Sequence, residues 1–552
     1  MTQHSSSPSP SAFPAAVSPE RPALSPSAHR DSFCRDNLPP PELWPVLDLG
    51  PLDYGDRLNC ATALLDATID RLGADRPCLR SSDGTVWSYG DLRAHANRIA
   101  GVLVDELGLV PGNRVLLRGY NEPWLVACWF AVLKAGGVAV TTMPLLRAGE
   151  LATMAGMCRP AIALCDARLT DDLQRADIPG LTTVAYGGTG PDDLGARAAG
   201  RPEAFDDVAT AADDVALLAF TSGTTGRPKG TMHFHRDVLA IADTFAASVL
   251  RPEPDDVFTG SPPIGFTFGL GGLVVFPLRA GASVLLLERA TPDVLADAVA
   301  SFGVTVLFTA PTAYKAILAA GAGEKLAGVR RAVSAGEALP AAVWQGVHDA
   351  TGLRIIDGIG ATEMLHIFIA AREEQIRPGS TGLPVPGYEA RVIGPDGAEL
   401  PRGTPGRLAV RGPTGCRYLA DPRQARYVER GWNVTGDTYV QDAEGYFWYQ
   451  ARSDDMIVSA GYNIAGPEVE QALLGHPEVL DCAVVGAPDP ERGMVVKAFV
   501  VLRPERTRDV PAEELQEFVK QAIAPYKRPR VVEFVDELPR TSTGKLQRYR
   551  LR

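Results

Sequence analysis

The chain has 552 residues, more than one hydrophobic core accommodates, so at least two domains are expected. Lys and Arg number 54 against 66 Asp and Glu, a net charge of −12, which argues against nucleic acid or an anionic lipid surface as the main partner. No two of the eight cysteines are spaced as CxxC, so no zinc or redox motif is indicated, and scattered thiols suit a reducing cytoplasm.

Residues 1–30 are rich in Ser and Pro and read as a disordered tail. The N-terminus lacks a basic segment followed by an apolar one, so no secretory signal is read. From about residue 58 helices alternate with strands. Asn59–Leu72 is an amphipathic helix candidate. Ser88–Glu106 opens on a Ser cap with Asp91 three residues on, a capping-box variant. Arg114–Arg118 reads as a strand, Trp124–Lys134 as a helix and Val138–Thr142 as a strand. The beat recurs at Ala161–Cys165, Val215–Phe220, Ala282–Leu287, Val304–Thr309 and Arg331–Ser334, and argues for parallel α/β layers. The apolar run near Leu125–Leu133 is too short to span a membrane, which takes about 20 residues. The uncharged stretch Ser261–Leu278 is longer, but its Gly and Pro read as loop and strand.

After about residue 385 the strands shorten, with Glu389–Ile393, Gly406–Val410 and Tyr446–Tyr449 parted by Gly and Pro turns, as in a small β-barrel. The last stretch reads as a compact α+β unit, with helices over Pro467–Leu474 and Pro511–Ile523 and strands over Val479–Gly486, Val495–Leu502 and Val531–Phe534. The expected class is α/β: a large N-terminal domain (31–453) of layered α/β subdomains plus a small β-barrel, and a mobile α+β C-terminal domain (454–552).

Chemistry concentrates first in Thr221–Gly230, TSGTTGRPKG, directly after an apolar strand. Its small hydroxyls and glycines leave N–H groups free to wrap phosphate oxygens, with Lys229 as a point charge. It is not a Walker A loop, and alone it reads equally as an ordinary turn. Further runs follow in order: SAGEALP at Ser334–Pro340, GIGATE at Gly358–Glu363, TGD at Thr435–Asp437, RSDD at Arg452–Asp455, GYNI at Gly461–Ile464 and PRTSTGKLQR at Pro539–Arg548. Together with WSYGDL and LKAGGVAVTTMP upstream, this set resembles the acyl-adenylate-forming superfamily of acyl-CoA synthetases, peptide-synthetase adenylation domains and luciferase. The resemblance covers about residues 58–552.

The resemblance implies a carboxylate activated by ATP as acyl-AMP, with pyrophosphate expelled, and then transferred to a thiol. Thr221, Ser222, Gly223, Thr224, Thr225 and Gly226, with Lys229, would hold the β- and γ-phosphates. Thr362 would bond the α-phosphate and Glu363 would hold Mg²⁺, as a single carboxylate beside substrate phosphates does. Adenine would lie between Ala335-Gly336-Glu337 and Asp357-Gly358-Ile359-Gly360, with Asp357 facing its exocyclic amine. Ile359 departs from the family's frequent Tyr. Asp437 would accept the ribose hydroxyls, and Arg452 would reach the ribose or the α-phosphate. Lys545 resembles the mobile catalytic lysine that stabilises charge building in the transition state. Asp454 falls at the family's hinge, beyond which Gly461, Tyr462 and Asn463 would line the thiol tunnel. Gly466 stands where the family often has Pro.

The acid should sit among Phe266, Phe268, Gly269, Gly360 and His366, where aromatic rings can stack on a planar substrate. Phe266 stands where adenylation domains for α-amino acids often place Asp, which argues against an α-amino acid. His233 and His235 lie near the same segments. GIGATEMLHIF and MHFHRD resemble the benzoate/2-aminobenzoate-CoA ligase branch. The expected substrates are therefore a small aromatic acid, ATP and coenzyme A, with no nucleic acid or membrane partner and with monomer and homodimer both open. Loading of a carrier protein is the alternative, since no carrier segment is read before Arg552. A non-catalytic sensor is disfavoured by Lys229, Glu363, Asp437, Arg452 and Lys545 together.

Overall fold

The computed structural model describes residues 24–221, 228–452, 455–459, 462–489, 493–504, 509–523, 525–540 and 546–551; of Val458, Tyr462, Asn463 and Gly493 only the strand placement is described. Among the described residues the strands form four sheets.

Two of these sheets are largely parallel. One runs in the order 182–186, 162–166, 114–118, 138–142, 215–221 and 229–234, with only the last strand antiparallel. Arg114–Arg118 is buried along its whole length, as a strand covered by helices on both faces must be. The other sheet has a parallel centre, in the order 356–360, 331–334, 306–309, 257–260, 283–286 and 77–81, flanked by antiparallel edges. The helices between them start where local chemistry directs. Ser88 Oγ accepts from Asp91 N at 3.0 Å and Asp91 accepts from Ser88 N at 2.8 Å, so the expected capping box opens the helix Tyr89–Gly101.

Two expectations are corrected. The stretch Ser261–Leu278, read as loop and strand, is helical from Thr267 onward, continuing through Ala280 with a wider turn over Gly271–Val275. Its glycines are packing residues: a Cβ on Gly271 would collide with the His366 ring, and one on Gly272 would sit 2.6 Å from the Phe308 ring. Residues 24–30, read as the end of a disordered tail, are seated on the body. Ser25 N donates to Asp213 at 3.0 Å, Ala28 N to Asp214 at 2.9 Å and Arg30 N to the Pro111 carbonyl at 2.9 Å.

The third sheet is a curled antiparallel unit built from Glu389–Ile393, Gly406–Arg411, Val428–Glu429, Trp432–Gln441 and Phe447–Arg452. The fourth holds Ile457–Ser459, Tyr462–Ile464, Val479–Asp489, Gly493–Leu502 and Val531–Phe534, with the helices Gly466–Leu474 and Ala512–Ala522. Ile464, Val469, Leu473, Val484, Val500 and Leu515 belong to a core of its own, distinct from the large one. Among the described residues no helix is long and apolar enough to cross a membrane.

Candidate active site

Parallel α/β sheets place ligands beyond the carboxyl ends of their strands. Here two sheets deliver such ends. Val215–Thr221 runs into the TSGTTG motif, while Arg331–Ser334 and Ile356–Gly360 run into Ala335-Gly336-Glu337 and Ala361-Thr362-Glu363. Ser222, Gly223, Thr224, Thr225 and Gly226 lie outside the described residues. Their flanks do not: Thr221 pairs with Lys229 across the antiparallel ladder.

Lys229 Nζ donates to the Tyr418 hydroxyl at 3.0 Å and lies 3.9 Å from Glu363 Oε1. The Tyr418 hydroxyl in turn donates to Glu363 Oε1. Burial and the neighbouring Glu363 carboxylate raise the phenol's pKa, which keeps Tyr418 a donor. This residue is invisible to motif reading. It arrives because Cys416–Leu419 runs beside the strand Lys229–Phe234, with Met232 N bonded to the Arg417 carbonyl at 2.8 Å and Leu419 N to the Gly230 carbonyl at 2.8 Å.

Glu363 sits on the single turn Thr362–Met364, and that turn is tied from two sides. His233 Nε2 lies 2.8 Å from the Thr362 carbonyl, and Thr414 Oγ1 donates to the Met364 carbonyl at 2.8 Å. Since a carbonyl only accepts, Nε2 carries the proton. Burial lowers the His233 pKa, so the ring is neutral. Behind it Asp237 pairs with Arg417, both fully buried. A buried pair of this kind is costly to break because it strands a charge. His233 thus touches the site through backbone, whereas His235 faces away, with Nδ1 3.1 Å from Cys60 N and 3.2 Å from Cys60 Sγ.

The TGD and RSDD motifs meet across one ladder. Asp437 is the register partner of Arg452, and Arg452 Nη1 donates to Asp437 Oδ1 at 3.1 Å. Gly436 has φ +78°, and a Cβ there would sit 3.2 Å from the Arg452 guanidinium, so both conformation and space ask for glycine. The strand carrying Asp437, Trp432–Gln441, has no counterpart among the sequence-based strands. Asp357 Oδ1 is buried without a hydrogen-bond partner among the described residues, and burial raises its pKa. Gly360 packs so closely on the partner strand that a Cβ would meet the His366 carbonyl at 2.8 Å.

Glu337 accepts from Arg540 Nη1 at 3.4 Å and from Leu546 N at 3.2 Å. The residues on either side of 541–545 therefore rest against the Ala335–Glu337 loop. Lys545 itself lies outside the described residues, as do Asp454 and Gly461. Tyr462 and Asn463 lie on the short strand Tyr462–Ile464, paired with Ile457–Ser459.

Of the residues expected to hold the acid, Phe266 is half-buried, while Phe268 is buried 5.4 Å from the Phe308 ring and 5.7 Å from His366. The His366 ring is caged by Phe245, Phe268, Phe276 and Phe308, the tightest contact being an edge approach to Phe276 at 4.6 Å. Neither ring nitrogen has a partner within hydrogen-bond geometry among the described residues, and burial, opposed only by the Phe268 backbone, takes its pKa down to about 3. His366 is neutral, and its ring is a wall of the aromatic cluster. Among the described residues no group of three or more His, Cys, Asp or Glu could hold a metal ion. A cation at Glu363 would need donors from outside the protein, which phosphate oxygens supply.

Residues 65–418 match the family of AMP-binding enzymes, and 468–545 match the AMP-binding enzyme C-terminal domain. The chain is 36% identical over 510 residues to the benzoate–CoA ligase of Thauera aromatica, covering 90% of this chain and 96% of that one. It is 35% identical over 479 residues to the 4-hydroxybenzoate–CoA/benzoate–CoA ligase of Rhodopseudomonas palustris, with 84% and 88% covered. Among solved structures, the anthranilate CoA ligase AuaEII in complex with anthranoyl-AMP superposes with a TM-score of 0.86 at 34% identity, covering 90% of this chain and 97% of that one.

Proposed function

The chain belongs to the AMP-binding enzyme family, and we propose that within it the protein is an ATP-dependent ligase joining a small aromatic acid, of benzoate or 2-aminobenzoate type, to coenzyme A. The observation that carries this reading is the Lys229–Tyr418–Glu363 corner at the strand ends, together with the Asp437–Arg452 pair. The ring class is supported by the relatives named for benzoate and anthranilate and by the aromatic walls around Phe266, Phe268 and His366.

In the first half-reaction a carboxylate oxygen attacks the α-phosphorus and pyrophosphate leaves. In the second the CoA sulfur attacks the acyl carbonyl and AMP leaves with the bonding pair. Thr221–Gly226 and Lys229 hold the outgoing phosphates, and Thr362 orients the α-phosphate. Glu363 fits one side of a Mg²⁺ ion that would neutralise phosphate charge. Asp437 takes the ribose hydroxyls and Arg452 steadies that carboxylate. The unpartnered Oδ1 of Asp357 accepts the adenine amine, with Gly336, Glu337 and Ile359 around the ring. Lys545 acts in adenylation. A turn of the 454–552 unit about Asp454 would then bring Gly461, Tyr462 and Asn463 to the thiol path. A cytoplasmic location suits thiols that are all unpaired among the described residues.

Pyrophosphate release measured over benzoates, 2-aminobenzoate and straight-chain acids, with and without CoA, tests the reading. Turnover with aromatic acids and CoA-dependent AMP formation is expected. Activity confined to fatty acids would overturn the substrate class. Loading of a phosphopantetheine carrier without CoA turnover would select the carrier alternative.

A further inference from the structure

The turn that presents Phe266 is short of backbone donors. Pro262 and Pro263 have no N–H, so neither can join a ladder. Ser261 is held to the central strand, its N bonded to the Phe308 carbonyl at 3.1 Å and its Oγ 2.6 Å from Thr309 Oγ1. Beyond Ser261 the chain leaves the nine-stranded sheet. There a side chain from the other sheet takes over. Asn121 lies in the loop after the strand Arg114–Arg118 and is only 6% exposed. Its Nδ2 donates to the Pro262 carbonyl at 3.1 Å, and its Oδ1 accepts from Ile264 N at 2.9 Å. One primary amide thus brackets Pro263 on both sides.

What it brackets is passed on. The Pro263 carbonyl accepts from Phe266 N at 3.0 Å, and the Phe266 carbonyl accepts from Leu270 N at 2.9 Å, which opens the helix behind Phe268. Gly269 packs so closely that a Cβ would strike the Pro263 carbonyl, and a Cβ on Gly265 would sit 2.8 Å from the Thr142 backbone. The turn has no slack, and its placement decides where the Phe266 ring stands. Buried amides with both functions used are expensive to leave half-paired, so the geometry is sharply defined.

We propose that Asn121 is a positioning residue for acid recognition: it clamps the Pro262–Ile264 turn between the two sheets and so sets the depth of the pocket walled by Phe266. This rests on the acyl-pocket reading of Phe266 given above. It acts on the acid and leaves the nucleotide end alone, because Lys229, Glu363 and Asp437 hang from other elements.

The full-length protein is assayed as wild type, Asn121→Ala and Asn121→Asp, each with Phe266 intact and with Phe266→Ala, on benzoate and 2-naphthoate. Asn121→Ala should raise the KM for benzoate roughly tenfold while the KM for ATP stays within about twofold. It should also narrow the preference between the two acids. Asn121→Asp keeps the acceptor for Ile264 N and loses the donor to Pro262, and should move both readouts in the same direction. If the alanine variant does not fold, the aspartate variant carries the comparison. In the Phe266→Ala background the change in preference should vanish, because Asn121 acts through that ring. A uniform fall for both acids in both backgrounds, tracking a lower Tm, would overturn the proposal and leave Asn121 a mere packing residue. Unchanged KM and preference in a folded variant would overturn it equally. Should the wild type reject all aromatic acids, the substrate reading fails, and the same comparison is run on the acids it accepts.

Discussion

The two ends of the proposed cleft meet the cost of buried polarity in different ways. At the phosphate end each of these side chains has at least one partner, although His233 Nδ1, Asp237 Oδ1 and Arg417 Nη1 have no hydrogen-bond partner among the described residues. Lys229 holds Tyr418, Tyr418 holds Glu363, His233 holds the Thr362 carbonyl, and Arg417 neutralises Asp237. At the acyl end His366 has two ring nitrogens without partners among the described residues, inside a phenylalanine cage. The difference follows from what each end must bind. On the proposed reading, phosphates and a cation would bring large charges whatever the acid, so partners oriented before they arrive would lower reorganisation in the transition state. The acid contributes mostly a shape, so its end is defined by packing, where glycines at 271 and 272 let the helix approach His366 and Phe308. On the proposed reading, charge recognition would be common to all acids, and substrate choice would be confined to the packed end.

The sharpest way to break that division is to remove the charge of Lys545. Lys545→Ala should slow adenylation by about 10²–10³-fold while thioester formation from preformed acyl-AMP is largely kept, measured as separate half-reactions. Equal loss of both would show that the lysine serves the fold and not the adenylation step. A smaller effect is expected inside the network. Tyr418→Phe leaves Glu363 without its donor and Lys229 without its acceptor, and should cut adenylation about tenfold and raise the Mg²⁺ concentration needed for half-maximal rate. The ratio of rates for benzoate and 2-aminobenzoate should not change. A changed ratio would mean that the two ends are coupled and the division is false.

Much of the frame is readable in the sequence because it depends on local chemistry. RVLLR reads as a strand from its own residues, and Ser88 with Asp91 starts a helix within four residues. TGD and RSDD can be picked out as motifs because each is a short contiguous run. What escapes a linear reading depends on pairing between distant segments. Tyr418 reaches Glu363 only because Cys416–Leu419 aligns beside Lys229–Phe234, although Lys229 and Tyr418 are 189 positions apart in the chain. Asn121 reaches Pro262 from the loop after a strand of another sheet. The helix from Thr267 to Ala280 is misread because Gly and Pro lower intrinsic helix propensity, while burial against His366 and Phe308 supplies the compensating packing. Tertiary contacts override local preference most where the wall of a pocket is built.

The mildest effect expected is a pH dependence to which the packed end contributes through His366. Burial holds His366 neutral, with a pKa of about 3 against an ordinary 6.5. The unfolded chain therefore binds one more proton than the folded chain between these values. Stability from this group is complete above the ordinary pKa and is lost as pH falls toward 3, at up to about 1.4 kcal/mol per pH unit. His235 is lowered by burial to about 3 as well and contributes its own share on the same side. Burial lowers the His233 pKa too, so His366→Gln removes one of several contributions of the same sign, and its Tm should fall less steeply than that of the wild type between about pH 6 and pH 4. Between about pH 7 and pH 9 neither folded nor unfolded chain titrates this ring, and the Tm difference between the two proteins should be constant. An acid limb of equal slope in both proteins would mean that His366 is hydrogen-bonded and protonatable in the folded state, and the acyl end would then be a second charged site and not a packed wall.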